Sequence, residues 1–419
     1  MGVDLGTSGV RACAIDQQGK LLAEAATGLA SPVSPAAGHL EQDPNLWWCA
    51  CLGVLDELLL GSVLNPLAIS VDGTSGTLLL CDGDGSPLGP ALMYNDSRAS
   101  TEARRLGQIA PADAAVHSPS SALAKLCHLS QKTEPKAEYA LHQADWILGR
   151  LGDTYGLSDE NNALKMGYDP VQRRWPAWLR DCPIDRALLP RVCPVGQTLA
   201  TLSEALTRRW KLVLPPRIVA GTTDSNAAAL ACGLRQTGEA ATSLGSTLVI
   251  KVLSERPVFH AAYGIYSHRV GRHWLVGGAS NSGGRGLLEY FSPRQLAELS
   301  QAMLPDIESG LDYYPLIGKG ERFPINDPQL PPRLLPRPKD DVLFLRGLLE
   351  GIARIEQQGY RKLQELGAPY PSRVLTSGGG SHNAVWREIR ERLLGVPVST
   401  AEHTEAAYGS ALIAAGKIP

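Results

Sequence analysis

The chain has 419 residues, more than one hydrophobic core usually covers, so two domains are expected. Hydrophobic residues make up 44 % and charged residues 20 %, a globular composition. Forty Lys and Arg stand against 42 Asp and Glu, and a net charge of -2 excludes the electrostatic footprint of a nucleic-acid or anionic-membrane binder.

The first 30 residues read as a β-meander: Gly2–Leu5, Val10–Asp16 and Leu21–Thr27, with a turn at Gln17–Lys20. Asp43 and Pro44 open a helix as N-cap and first residue, with an apolar stripe through Trp47, Leu52, Leu55 and Leu59. Leu67–Asp72 is a buried strand that ends in Gly73-Thr74-Ser75-Gly76-Thr77, and Leu78–Asp82 follows as another. Residues 100–215 read as mostly helical with Pro-rich loops. Ile218–Ala220 is a short strand that enters Gly221-Thr222-Thr223-Asp224, and an Ala-rich helix runs on to Gly233.

After Gly238 strands dominate: Ala240–Leu244, Thr247–Leu253, Ala262–His268 and His273–Gly277. Residues 305–340 are irregular, and Val342–Leu366 is a long amphipathic helix. Arg373–Thr376 is a strand ending in Ser377-Gly378-Gly379-Gly380, a helix starts at Asn383, and Glu405–Ala415 is a small-residue terminal helix. Asp4–Ser8 and Ser243–Thr247 both read as strand, Gly-hydroxyl turn, strand, which suggests a duplicated α/β fold with a cleft between its halves.

No apolar run approaches the roughly 18 residues of a membrane helix, and no basic-then-apolar leader opens the chain. The eight cysteines form no Cys-x-x-Cys pair and read as small buried hydrophobes of a reducing, cytoplasmic compartment. The first strand is short for a central one, so a few apolar residues upstream are expected.

No Gly-Lys pair is followed by Ser or Thr, so no P-loop is present; Asp-Phe-Gly is missing too. A Gly-hydroxyl hairpin such as Asp4-x-Gly-Thr7-Ser8 lets backbone N–H groups and hydroxyls approach phosphate, and a strand-end carboxylate can hold Mg²⁺ through water. An ordinary hairpin is the alternative, made less attractive by the second tip. Asp224 reads equally as a helix N-cap and as a general base. Three consecutive glycines at a strand end favour approach of a ligand over a plain turn. Lys125 reads as a solvated helix lysine or as one with a cleft or structural role. His39 and His382 read as surface histidines.

The order of these elements resembles the FGGY carbohydrate kinases of the actin/Hsp70 ATPase fold, over nearly the whole chain. Gly2–Ser8 resembles that family's first phosphate segment. Glu41-Gln42-Asp43-Pro44 with Trp47-Trp48, Tyr94–Arg98, Gly221–Asp224, Leu345–Ala353, Gly378–Asn383 and Glu405–Ala411 resemble its further segments. Asp72–Thr77, Leu123–Leu126, Asn161–Lys165 and Gly310–Pro315 are similar to the compact D-ribulose kinase branch of cyanobacteria and plant plastids, formerly called xylulokinase-like.

The resemblance implies two RNase H-like domains flanking a deep catalytic cleft. Residues 1–230 would bind sugar, with helix 405–419 near the domain junction, and 231–404 would bind ATP. It implies ATP- and Mg²⁺-dependent phosphorylation of a ketopentose, best D-ribulose, with D-xylulose or another ketose or polyol as the alternative. Asp224 would be the catalytic base, and Asp4, Ser75 and Asp224 would contact sugar. Thr7, Ser8, Gly245, Ser246 and Thr247 would grip phosphates, and Gly379, Gly380 and Asn383 the nucleoside. Asp4 would hold Mg²⁺. The protein would be a cytoplasmic monomer or homodimer. An actin-fold ATPase without a sugar and a sugar sensor without efficient transfer are the rivals from other classes.

Overall fold

A computed structural model describes residues 1–131 and 136–419. The chain divides into two compact units. The first comprises residues 1–231, 268–271 and 405–418; the second comprises 232–267 and 272–404, with residue 419.

In the first unit, β1 (Gly2–Leu5), β2 (Gly9–Ile15) and β3 (Leu21–Gly28) form the expected meander. β4 (Glu41–Gln42) leads into α1 (Pro44–Leu59), where the Asp43 side chain accepts from Asn45 N as N-cap. Trp47, Cys51, Val54, Leu55, Leu58 and Leu59 carry its buried face. Of the expected stripe Trp47, Leu55 and Leu59 are buried and Leu52 is half-buried, its neighbour Cys51 lying inside instead. β5 (Ala68–Gly73), β6 (Leu78–Cys81) and β7 (Ala91–Leu92) follow.

The stretch 100–215 is not mostly helical. Among its described residues α2 (Ser100–Ile109), α3 (Ala122–Leu129), α4 (Gln143–Gly152) and α5 (Glu204–Arg209) are interleaved with strands. These are β8 (Tyr139–His142), β9 (Leu157–Asp159), β10 (Arg191–Cys193) and β11 (Thr198–Thr201), of three or four residues each. Such strands are too short to show an alternation and exist through their partners. β12 (Arg217–Thr223) is longer than expected and runs directly into α6 (Asp224–Ala231).

The main sheet has the order β11-β12-β5-β1-β2-β3. β1 pairs antiparallel with β2 and parallel with β5, and β5 pairs parallel with β12. The C-terminal helix, Ala406–Ala414, belongs to this unit. Its small residues have a physical cause. A Cβ on Gly2 would stand 2.0 Å from Ala407 O, and one on Gly409 would stand 1.9 Å from Ala227 O. Backbone therefore packs on backbone on both sides of this helix.

The second unit carries β13 (Glu239–Leu244), β14 (Leu248–Ser254), β15 (Tyr266–Val270) and β16 (His273–Ala279), β15 starting four residues later than expected. The short α7 (Arg285–Leu288) precedes α8 (Pro293–Gln301), which the periodicity did not reveal. Its signal is local: Ser292 caps, Pro293 follows, and the Gln295 side chain accepts from Ser292 N in a capping box. The long α9 (Asp341–Glu365), β17 (Arg373–Ser377), α10 (Ala384–Leu394) and β18 (Val398–Thr400) complete it.

Its sheet has the order β15-β16-β14-β13-β17-β18. Reading β3-β2-β1-β5-β12 beside β16-β14-β13-β17-β18 gives one pattern twice: three antiparallel strands, then two parallel ones. The fold is the duplicated α/β architecture expected. Seven of the eight cysteines are buried, and Cys49 is exposed. Among the described residues no helix is long and apolar enough to cross a membrane.

Candidate active site

Three parallel strands of the first unit end at the same edge. Across β1 and β5, Asp4 lies opposite Asp72; across β5 and β12, Asp72 lies opposite Thr222. Asp224 follows two residues later as the first residue of α6. Carboxyl ends of parallel strands are where open α/β sheets bind ligands. Asp4 and Asp224 are therefore brought together, and Asp72, not singled out in the sequence, joins them.

Burial pushes the Asp4 carboxyl up to about 6; a hydrogen bond with Asp72 and the Arg11 guanidinium act against this, and Asp224 and Glu405 with it. Arg11 approaches Asp4 at only 3.7 Å and is half-exposed. Asp72 is fully buried, and burial followed by the Asp4 charge holds its carboxyl well above the usual carboxylate range. Ser410 Oγ donates to Asp72 Oδ2 at 2.6 Å. Asp72 Oδ1 has no hydrogen-bond partner among the described residues. Ser225 N donates to Asp224 Oδ1 at 2.6 Å, and Asp224 opens the helix.

Asn161 and Asn162 secure the strand that delivers Asp224. Their side chains donate to Thr222 Oγ1 (2.9 Å) and Thr222 O (3.3 Å), and their backbone N–H groups to Asp159 Oδ1.

The turn after β5 is held at several points. Thr74 N and Oγ1 donate to Gln143 Oε1 at 2.9 and 2.8 Å. Lys125 is not a solvated lysine: it is fully buried, and its Nζ donates to Gly76 O (2.7 Å) and Met93 O (2.6 Å). An apolar helix face, Leu123 to Leu129, drags it inside, and the two carbonyls satisfy it. Burial pulls its ammonium down to about 7, the Lys165 charge contributing. Ser75 sits at the centre of this turn, and its Oγ is buried without a partner among the described residues.

Thr7 and Ser8 form the tip between β1 and β2, closed by Gly6 N donating to Gly9 O at 3.0 Å. Glu41 and Arg98 are tied to each other at 2.7 Å, and Arg98 also grips Asp96, while Trp47 Nε1 donates to Gln42 Oε1. These residues brace the segments beside the site.

In the second unit a cavity of about 670 Å³ is lined by Gly245, Ser246, Gly379, Gly380 and Asn383, all five expected there; Thr247 is not in its wall. Its apolar walls come from Leu287, Leu288, Leu296, Ala297 and Leu349. His382, read as a plain surface histidine, is exposed but belongs to this wall. His39 is half-buried.

The glycine run has divided tasks. Gly378 has φ +81°, and its Cβ would meet Leu244 backbone at 2.7 Å; a Cβ on Gly380 would meet the Trp386 ring at 2.6 Å. Gly379 meets nothing within 4 Å and is the one open to a ligand. Asn383 is largely spent on the fold: Oδ1 accepts from Trp386 N (3.0 Å) as N-cap of α10, and Nδ2 donates to Ser300 Oγ (2.8 Å). Beneath the loops Arg390 and Glu356 form a buried ion pair at 2.6 Å, shared with Thr242 and Thr376, which face each other on β13 and β17.

Residues 1–231 match the N-terminal domain of the FGGY family of carbohydrate kinases, and residues 240–417 match its C-terminal domain. The chain is 26 % identical over 412 residues to the xylulose kinase of Escherichia coli, covering 93 % of this chain and 83 % of that one. It is 28 % identical over 436 residues to the xylulose kinase of Streptomyces coelicolor, covering 99 % and 87 %. A crystal structure described as a xyloylose kinase from Brucella ovis superposes with a TM-score of 0.88 at 24 % identity, covering 99 % of this chain and 90 % of that one.

Proposed function

The chain belongs to the FGGY family of carbohydrate kinases, and from that premise we propose that it phosphorylates the terminal hydroxyl of a ketopentose, D-ribulose, at the expense of ATP. The carrying observation is the meeting of Asp4, Asp72 and Asp224 at three parallel strand ends, beside the braced turn at Ser75.

In this reading Asp224 accepts the proton of the sugar hydroxyl as the terminal phosphoryl group is transferred, a step worth about 10²–10⁴-fold in rate. Ser75 Oγ, buried and unpartnered, bonds a sugar oxygen. Within the first unit Thr7 and Ser8 offer N–H and hydroxyl donors to phosphate, and within the second Gly245, Ser246 and Thr247 do the same. Gly379 lets the nucleoside lie against backbone, Gly380 lets the loop pack on the Trp386 ring beside it, and Asn383 shapes that surface through its cap.

Among the described residues no cluster of three or more His, Cys, Asp or Glu could hold a metal by itself. Mg²⁺ needs no such cage, because it keeps several waters and takes phosphate oxygens. Asp4, nearly buried and only loosely paired with Arg11, suits that water-mediated mode. When bound, Mg²⁺ neutralises phosphate charge.

The Asp72–Thr77 segment offers small hydroxyl side chains to the sugar end, which supports D-ribulose. A second reading, D-xylulose, is supported by the names of the relatives at 26 and 28 % identity. ADP release measured against a panel of ketoses and polyols separates them. D-ribulose is expected to show the highest kcat/KM and glycerol little activity, and Ser75→Ala is expected to raise KM for the sugar more than for ATP. A preference for D-xylulose replaces the substrate, and rapid ADP release without sugar overturns the kinase reading.

A further inference from the structure

Two lysines reach the Ser75–Gly76 turn, and they differ in what they have left to give. Lys125 spends its ammonium on two carbonyls at 2.7 and 2.6 Å. Lys165, on a single 3₁₀ turn (Ala163–Met166), has one hydrogen bond among the described residues, to Ser75 O at 3.3 Å. That is a long bond for a group with three donors. The stem of Lys165 lies against Gly76, whose added Cβ would stand 3.3 Å from Lys165 Cδ. A larger residue at 76 would displace the lysine, so its place is fixed.

The surroundings limit what Lys165 can meet. It is half-buried, burial lowers its affinity for a proton, and the Asp224 carboxylate opposes that effect. Beside it lies Ser75 Oγ, buried and without a partner. An ammonium with donors to spare and an idle hydroxyl make a donor-rich corner near the proposed base. The oxygen that best fills such a corner accepts only. A sugar hydroxyl there could give its proton only to Ser75 Oγ, which would then no longer donate, whereas a carbonyl or carboxylate oxygen accepts from both groups at once.

We propose that Lys165, with Ser75 Oγ, reads a carbonyl or carboxylate oxygen of the acceptor and makes the site prefer a ketose or a sugar acid to the matching alditol. This rests on the reading of the first unit as the sugar site. Lys165 is a specificity-determining residue, and Asp224 keeps the proton transfer.

The test compares D-ribulose, ribitol and D-ribonate, which differ at one end only, in wild type, Lys165→Met, Lys165→Gln and Lys165→Arg. Each variant is first checked for an unchanged thermal midpoint, and any that has lost its fold is set aside in favour of the remaining two. Wild type is expected to favour D-ribulose or D-ribonate over ribitol; whichever leads identifies the oxygen as ketone or carboxylate. Lys165→Met and Lys165→Gln should lower kcat/KM for the favoured substrate by about 10- to 100-fold, mainly through KM. Ribitol should change by less than about threefold, KM for ATP should hold, and Lys165→Arg should recover part of the preference. An unchanged ketose-to-alditol ratio in folded variants overturns the role of Lys165 and leaves the kinase reading intact. A wild type that phosphorylates none of the three overturns the sugar-site reading itself, and the proposal with it.

Discussion

Asp4 and Asp72 stand directly opposite one another on adjacent parallel strands, and burial holds both carboxyls above the usual carboxylate range, the Asp4 charge adding to it at Asp72. Two buried like charges at this separation cannot both ionise, so one must keep its proton. Burial, fullest at Asp72, holds these carboxyls up, and the hydroxyl that Ser410 donates to Asp72 acts against it there.

This relationship gives the site a pH dependence. A carboxyl that holds its proton longer in the folded chain stabilises the fold below its unfolded value near 3.8. That contribution is lost as pH rises through about 6. In metal-free buffer the denaturation midpoint of wild type should therefore fall, relative to Asp4→Asn, as pH rises from 3.8 to about 6, and level off above that. Mg²⁺ should restore part of the difference at the upper end. Parallel curves for the two proteins would show that Asp4 carries no such burden.

Asp224→Asn keeps size and capping ability and removes basicity. Turnover should drop by about 10²–10⁴-fold, with ATP affinity nearly kept. Steady-state kinetics alongside nucleotide titration decide it: more than half the sugar-dependent turnover left would take the base role away from Asp224.

Ser410→Ala removes the donor from a fully buried carboxyl. The loss should cost about 1–3 kcal/mol in urea denaturation. A matched Ser410→Thr variant, which keeps the hydroxyl, controls for crowding. Equal stability of wild type and Ser410→Ala would mean that Asp72 finds another partner.

Asn383→Ala separates a nucleoside contact from a cap. Since both ends of the Asn383 amide are engaged inside the unit, stability should fall by about 0.5–2 kcal/mol. Asn383→Asp keeps the capping oxygen and should recover most of that stability. A large rise in KM for ATP with an unchanged melting profile would instead make Asn383 a direct contact.

Much of the architecture is legible in the sequence because its signals are local. Alternation with Gly-rich turns marks β1 to β3, Asp43-Pro44 marks the start of α1, and the strand–glycine–helix order marks β17 and α10. The strands β8 to β11 are not legible, since their partners lie up to dozens of residues away. Asp224 and Asp4 stand out through their neighbours in sequence. Asp72 hides as the polar end of an apolar strand, and only the register against β1 shows its part. Lys125 is invisible for another reason: a lysine in a helix reads as solvated until carbonyls from two other segments are seen to receive it.

The C-terminal helix completes the first unit, not the second, and this reverses the order in which the chain can mature. Residues 1–231 leave the ribosome first, yet their sheet lacks the cover over Gly2 and the donor to Asp72 until Ser410 has been made. Residues 232–404 hold nearly all of the second unit and can close while the first still waits. The half synthesised first is finished last, and a truncation before Ser410 takes the donor from Asp72, more than 300 residues earlier in the sequence.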